Sequence, residues 1–221
     1  MPRPGAKLVK KSGAQAARTT RDRILDAAIK LVARHGIAGA TTKRIADAAG
    51  VAEGSLYKHF ADKADLLIAL VLERLPGIRE VFGKLDNAAS GSPAAEALAA
   101  ALEGMIEFYT QAQPIMAGIS SDPDLLRLCR QRFMETDHGP HRAHEKLAEF
   151  IRQSQQHGAF RPGTNADAVA ALLIGACTEF ASLARLTGKT PGGMSKAAYA
   201  KAIVAALSPM PGGAQTAKKR V

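Results

Sequence analysis

The chain has 221 residues, 47% of them apolar and 23% charged, which fits one or two globular domains and excludes a collagen-like or largely disordered chain. No uninterrupted apolar run approaches the roughly 20 residues that span a bilayer, and two Cys 48 positions apart make neither a disulfide framework nor a zinc spacing. The formal net charge of +10 is concentrated at the ends: residues 1–63 carry 13 Lys/Arg against five acids, the last four residues add three cations, and residues 64–217 are nearly neutral.

A cationic N-terminal module on a neutral body points to a polyanion partner at that end. The basic N-terminus has no apolar stretch behind it to serve as a secretory signal, so a reducing cytoplasm is expected. With ten aromatic residues and no Trp, the core must come from Leu, Ile, Val and Ala, which favours close-packed helices over sheets.

Residues 1–17, with Pro2, Pro4, Gly5, Gly13 and scattered Lys, read as a disordered basic arm. A helix then opens at Thr19 or Thr20, carries Ile24, Ala28, Leu31 and Val32 at helical spacing, and stops at Gly36. After a connection from Ile37 to Ala40, Thr41 caps a short helix to Ala49, with Ile45, Ala46 and Ala49 buried and Gly50 turning the chain. A third helix is predicted from Ala52 to His59, burying Leu56 and sending Phe60 inward. Asp62 caps a fourth, through Leu66, Leu67, Leu70, Val71 and Leu75, which Pro76 breaks. Two short helices joined by a Gly-containing turn make a helix-turn-helix, the unit that places its second helix in the DNA major groove.

The remainder also reads as helices. One is predicted from Pro93 to Gln111, a short one from Pro114, one from Asp124 to Met134, and one from Pro140 to His157. Thr164 or Asn165 caps an apolar helix to Leu186, Gly188 ends it, and Ser195 starts a last helix to Leu207. A loose basic tail follows at 209–221. Residues 165–186 and 195–207 are too apolar and Ala-rich to be left in water, and are expected to pair across a two-fold axis as a four-helix bundle through Leu173 and Ile203. No strand is predicted, so the fold class is all-α: a three-helix N-terminal unit followed by a helical body. Residues 66–75 are the one continuous apolar link visible between the two.

Ile24–Leu67 resembles the DNA-binding domain of the TetR family of bacterial transcriptional regulators. The matching pieces are His35-Gly36, Thr41-Thr42-Lys43-Arg44-Ile45-Ala46, Ala49-Gly50-Val51, Gly54-Ser55-Leu56-Tyr57-Lys58-His59-Phe60 and Asp62-Lys63-Ala64-Asp65-Leu66-Leu67. The resemblance implies a DNA-binding domain at 18–64 and a ligand-binding and dimerisation domain at 65–208. It implies a homodimer on double-stranded operator DNA, released when a small molecule changes the spacing of its two heads. No cofactor and no membrane partner are implied.

Within this frame Thr42 can donate to a phosphate beside the positive end of its helix. Lys43 and Arg44 can reach phosphate or, for Arg44, a guanine edge. Gly54 leaves space for close approach, and Ser55 offers a hydroxyl to a base or phosphate. Tyr57 and His59 resemble the family's phosphate-contacting positions, Lys58 lies between them, and Lys63 starts the fourth helix. Two residues depart from the family pattern: Ala52 leaves the third helix without a side-chain cap, and Glu53 puts an acid where cations are common. An acid there repels phosphate unless it accepts from a cytosine amino group.

In the body, Met105, Tyr109, Met116, Phe133, Cys177 and Phe180 are candidates to line a pocket for an apolar or amphipathic effector, with Phe108 and Met134 also available. His138, His141 and His144 raise a metal site as an alternative, and Cys129 or Cys177 a redox switch. A DNA-coating architectural protein is a further alternative. An enzyme is disfavoured, because no nucleophile elbow, phosphate loop or clustered acid–base set is present.

Overall fold

A computed structural model describes residues 19–75, 80–83, 85, 94–137 and 139–207, and among these every regular element is helical. The 1–17 arm, the 209–221 tail, Pro76, Pro93 and His138 lie outside the described residues.

Helix α1 (Thr20–Gly39) is capped by Thr19, not Thr20. The Thr19 hydroxyl accepts from the Asp22 N–H at 3.1 Å, while the Asp22 carboxylate accepts from the Thr19 N–H at 3.2 Å. Gly36 interrupts the helix at φ 66°, but one more turn follows it and buries Ile37, so the stretch expected as a connection is helical. Helix α2 (Thr42–Ala49) is capped by Thr41. Gly50 closes it at φ 66°, where a Cβ would be strained and would also meet the Arg23 guanidinium at 3.0 Å.

Helix α3 (Glu53–Leu56) is shorter than predicted. Ala52 supplies no side-chain cap, as expected, and the chain tightens after one turn: the N–H groups of both His59 and Phe60 donate to the Leu56 carbonyl at 3.0 Å. Leu56 and Phe60 are both buried and pin the two ends of this turn. Helix α4 (Lys63–Arg74) is capped by Asp62, which accepts from the Asp65 N–H at 2.8 Å. Leu75 is extended, as the residue before a proline prefers.

The break expected at Pro114 does not occur. Helix α5 runs unbroken from Ala94 to Ser120. A proline inside a helix forfeits a hydrogen bond and crowds the preceding turn, at a cost of about 3 kcal/mol. Contacts on either side of it offset that cost. Ala112, Ile115 and Ile119 are buried, and the Gln113 amide donates to the Thr178 carbonyl at 3.0 Å and the Ser182 hydroxyl at 2.7 Å. Helix α6 (Pro123–Thr136) is capped by Asp122 and closed by Asp137 in the left-handed region, φ 52°. Helix α7 (His141–Gln156), α8 (Ala166–Thr187, capped by Asn165) and α9 (Lys196–Leu207, capped by Ser195) complete the body.

The described residues form two apolar cores. The first joins α1–α4 to Ala112, Ile115 and Ile119 of α5 and to Leu125 and Cys129 of α6. The second joins the earlier turns of α5 (Leu98, Leu102, Met105, Ile106) to α7, α8 and α9. Helix α5 therefore passes through both, and α4 is not the sole apolar link between head and body.

By length and composition α8 is long and apolar enough to cross a bilayer, although its apolar runs are broken by Asp167, Glu179 and Arg185. Val169, Ala170, Leu173, Cys177 and Phe180 face its own core. Leu173, expected at a dimer interface, is 1% exposed, whereas its neighbour Leu172 is 72% exposed. The outward face of α8 is thus one residue out of register with the sequence reading.

Candidate DNA interface and ligand cavity

Helices α2 and α3 meet at their N-terminal ends. The Thr42 hydroxyl donates to Glu53 Oε1 at 2.8 Å and accepts from the Tyr57 hydroxyl at 3.4 Å. Lys43, Arg44, Gly54, Tyr57, Lys58 and His59 are all exposed, and Ser55 is half-buried. Nothing in the protein lies within 4 Å of a Cβ added at Gly54, so the protein's own packing does not demand glycine there. Arg44 donates to the Gly39 carbonyl at 2.8 Å, and half-buried Lys63 donates to the Ile37 carbonyl at 3.1 Å. Both therefore tie the end of α1 to the face on which they sit.

Two arginines that motif reasoning passed over hold this face in shape. Arg23 donates to the carbonyls of Ala49 and Gly50 at 2.6 and 3.0 Å, closing the turn between α2 and α3. Arg21 donates to the His59 carbonyl at 3.1 Å and lies 4.4 Å from the centre of the Phe60 ring. At the far end of α4, Arg74 pairs with Asp22 and with Asp26. Hydrogen bonds from Thr19, and then from Arg74, hold the Asp22 carboxyl down at about 2. The only sequence signal for such partners is the basic and acidic spacing of α1, which does not identify what they face.

A cavity of 540 Å³ lies where the two cores meet. Leu67, Ile68, Val71 and Leu72 of α4 form one wall, and Phe108, Tyr109, Met116 and Ile119 of α5 another. Phe82, Phe133 of α6 and Ala143 of α7 add to the apolar lining. Polar side chains gather at one end, the corner between α6 and α7: Thr136, Asp137, Arg142 and Lys146. There Asp137 is paired with His141 at 2.9 Å and with Arg142 at 2.7 Å. Burial, with a lesser effect of Cys177, pushes Tyr109 up to about 12, so it presents a neutral phenol.

Of the six pocket residues expected from sequence, Tyr109, Met116 and Phe133 line this cavity. Met105, Cys177 and Phe180 do not; they are buried in the second core, between α5 and α8. Met105 and Tyr109 share one stripe of α5, but only the later turn faces the gap between cores. Met134 is 77% exposed.

His141 and His144 turn to different partners, Asp137 and the Asp167 carbonyl, and no cluster of three metal-ligating side chains occurs among the described residues. Both Cys are buried, and burial pushes their thiols up to about 11 for Cys129 and about 12 for Cys177, far from the reactive thiolate a redox switch needs.

The sequence pattern of the bacterial regulatory proteins of the tetR family matches residues 24–70, the span of α1 through most of α4. The N-terminal domain is thus a helix-turn-helix domain of the TetR type. The HTH-type transcriptional repressor AcnR of Corynebacterium glutamicum is 37% identical over 65 residues, 29% of this chain and 35% of that one. Matches to other curated regulators likewise span between a quarter and a half of their length.

The fold extends the similarity beyond the head. A protein assigned to the TetR-family regulators of Mesorhizobium loti superposes with a TM-score of 0.64 at 21% identity, covering 85% of this chain and 94% of that one. The transcriptional regulator FadR of Bacillus subtilis, in complex with stearoyl-CoA, superposes with a TM-score of 0.61 at 19% identity, covering 84% and 96%. The TetR-type head is thus joined to a body of the same helical architecture.

Proposed function

We propose that the protein is a transcriptional repressor that binds operator DNA as a homodimer and is released by an apolar or amphipathic small molecule held in the cavity. The observation that carries this reading is the cavity wall: Leu67, Ile68 and Val71 line the cavity and also pack in the core of the TetR-type head. A ligand pressing on α4 therefore acts on the element that follows α3 directly. A second path runs through α6, where Phe133 lines the cavity and the adjacent Arg132 pairs with Asp62, the cap of α4, at 3.3 Å.

The polar end of the cavity at the α6–α7 corner suits the head group of an amphipathic ligand, and the apolar end suits its tail. The stearoyl-CoA bound by the B. subtilis regulator is a ligand of that kind. Exposed Leu172 and Leu186 on α8, with small residues between and beside them, favour pairing of α8 and α9 across a two-fold axis. Tilting α4 would change the separation of the two recognition helices from the one-turn spacing of about 34–36 Å that successive major grooves require. The protein then acts on DNA in the cytoplasm, with no membrane partner. An architectural protein without ligand control leaves the cavity and its contact with α4 unused.

The test is binding of a two-fold operator over a range of salt, followed by calorimetric titration of stearoyl-CoA with and without that operator. A log–log salt slope of roughly 5–10 in magnitude is expected if that many phosphates are engaged. Ligand coupling of about 1–3 kcal/mol would make DNA and ligand weaken each other about 5- to 150-fold. A slope near zero overturns the DNA reading, and equal ligand affinity in both titrations overturns the coupling.

A further inference from the structure

We propose that Glu53 reads a cytosine in each operator half-site, an inference that rests on the DNA-binding reading above. Glu53 opens α3 and is exposed, and it has no ion-pair partner among the described residues although Lys43, Arg44 and Lys58 stand exposed in the same helix-turn-helix. Its hydrogen bond is instead to a neutral hydroxyl: Thr42 donates to Oε1 at 2.8 Å, and Tyr57 in turn donates to Thr42 at 3.4 Å. That chain fixes the direction of the carboxylate and leaves Oε2 to accept from outside the protein.

An ionised carboxylate only accepts hydrogen bonds and is repelled by phosphate, so on the front of a recognition helix its favourable partners are base amino groups. Two bases offer one in the major groove. The adenine N6 amino group sits beside N7, an acceptor that repels a carboxylate; the cytosine N4 amino group has no acceptor beside it on its own base. Cytosine is the better match. Gly54, with open space around its Cα, lets the start of α3 lie close to the base edges.

The experiment selects binding sites from randomised duplexes with the full-length wild type, Glu53→Gln and Glu53→Ala, then measures affinity for the enriched site and its single-pair variants. The wild type is expected to enrich a C·G pair at one symmetric position per half-site and to lose about tenfold when it is replaced, within the range of a single mismatched pair. Glu53→Ala should lose discrimination at that position alone. Glu53→Gln should shift it towards adenine, whose N6 and N7 a side-chain amide pairs with. Thermal unfolding of the three proteins confirms that this exposed position leaves the fold intact. Unchanged base preference in both variants, or an equal rise in affinity for every sequence, overturns the inference while leaving the DNA reading standing. Failure of the wild type to enrich any sequence overturns both.

Discussion

The head and the body reach their cores by different routes. In residues 19–75 three of the four helices start on a side-chain cap: Thr19, Thr41 and Asp62 accept from the first turn, and Gly36 and Gly50 take positive φ. Leu56, Phe60 and Ile45 then fall into one core because α2 and α3, of 8 and 4 residues, are too short to present any other face. In residues 94–207 the α-helices run from 12 to 27 residues, and on the longest of them the same stripe can serve two purposes. One face of α5 fills the second core at Met105 and borders the cavity at Tyr109, a single turn later. Short helices with strong caps make a site legible residue by residue; long ones make a cavity whose position depends on what each turn meets.

The largest effects should come from breaking either core. Phe60→Ala in the head and Phe160→Ala in the body, both nearly fully buried, should each cost about 3–5 kcal/mol. Because α5 runs through both cores, each variant should still unfold in one transition in calorimetry and in urea. Two separate transitions would mean that head and body are independent and that α5 does not couple them.

Next in size is the contrast between adjacent leucines on α8. Leu173→Glu buries a charge and should leave no folded protein, while Leu172→Glu should give a folded monomer by sedimentation. A dimer unaffected by Leu172→Glu would move the interface away from this face.

A smaller effect concerns the ion pairs that tie α1 to α4. Asp22 is held near 2 in the folded protein, against an ordinary value of 3.8. A depressed carboxylate stabilises the fold above its unfolded value, and that contribution is lost as pH falls from about 4 to about 2. Asp22→Asn should therefore lower the urea midpoint at pH 7 and flatten its decline over that acid window. An identical decline for both proteins would assign the acid sensitivity elsewhere.

The smallest effect on stability is expected from Arg132→Gln. Its pair with Asp62 is about one-third exposed on both sides and is worth less than about 1 kcal/mol. The same change should still reduce the mutual weakening of DNA and ligand, since it cuts the link from α6 to the cap of α4. Unaltered coupling would leave α4 as the sole route.

Much of the head was legible because its information is local. The cap at Thr41, the left-handed Gly50, the uncapped start at Ala52 and the burial of Leu56 and Phe60 each follow from a residue type at a fixed offset. The length of α3 was not, because its last turn is tightened by bonds to the Leu56 carbonyl that compete closely with helical ones. The donors Arg21 and Arg23 were likewise invisible, since their acceptors are backbone carbonyls 26 to 38 residues away.

The sequence by itself determined an all-helical chain, a helix-turn-helix within residues 41–59, and a cationic N-terminal end on a nearly neutral body. Periodicity, capping and charge suffice for these, because each acts within a few residues. Tertiary structure decided the rest. It carried α5 straight through Pro114, turned Leu173 inward and Leu172 outward, and placed Tyr109, Met116 and Phe133 on a cavity while Met105, Cys177 and Phe180 went into a core. Those outcomes depend on whether the facing helix fills the space opposite a side chain, and that is a property of pairs of elements far apart in the chain.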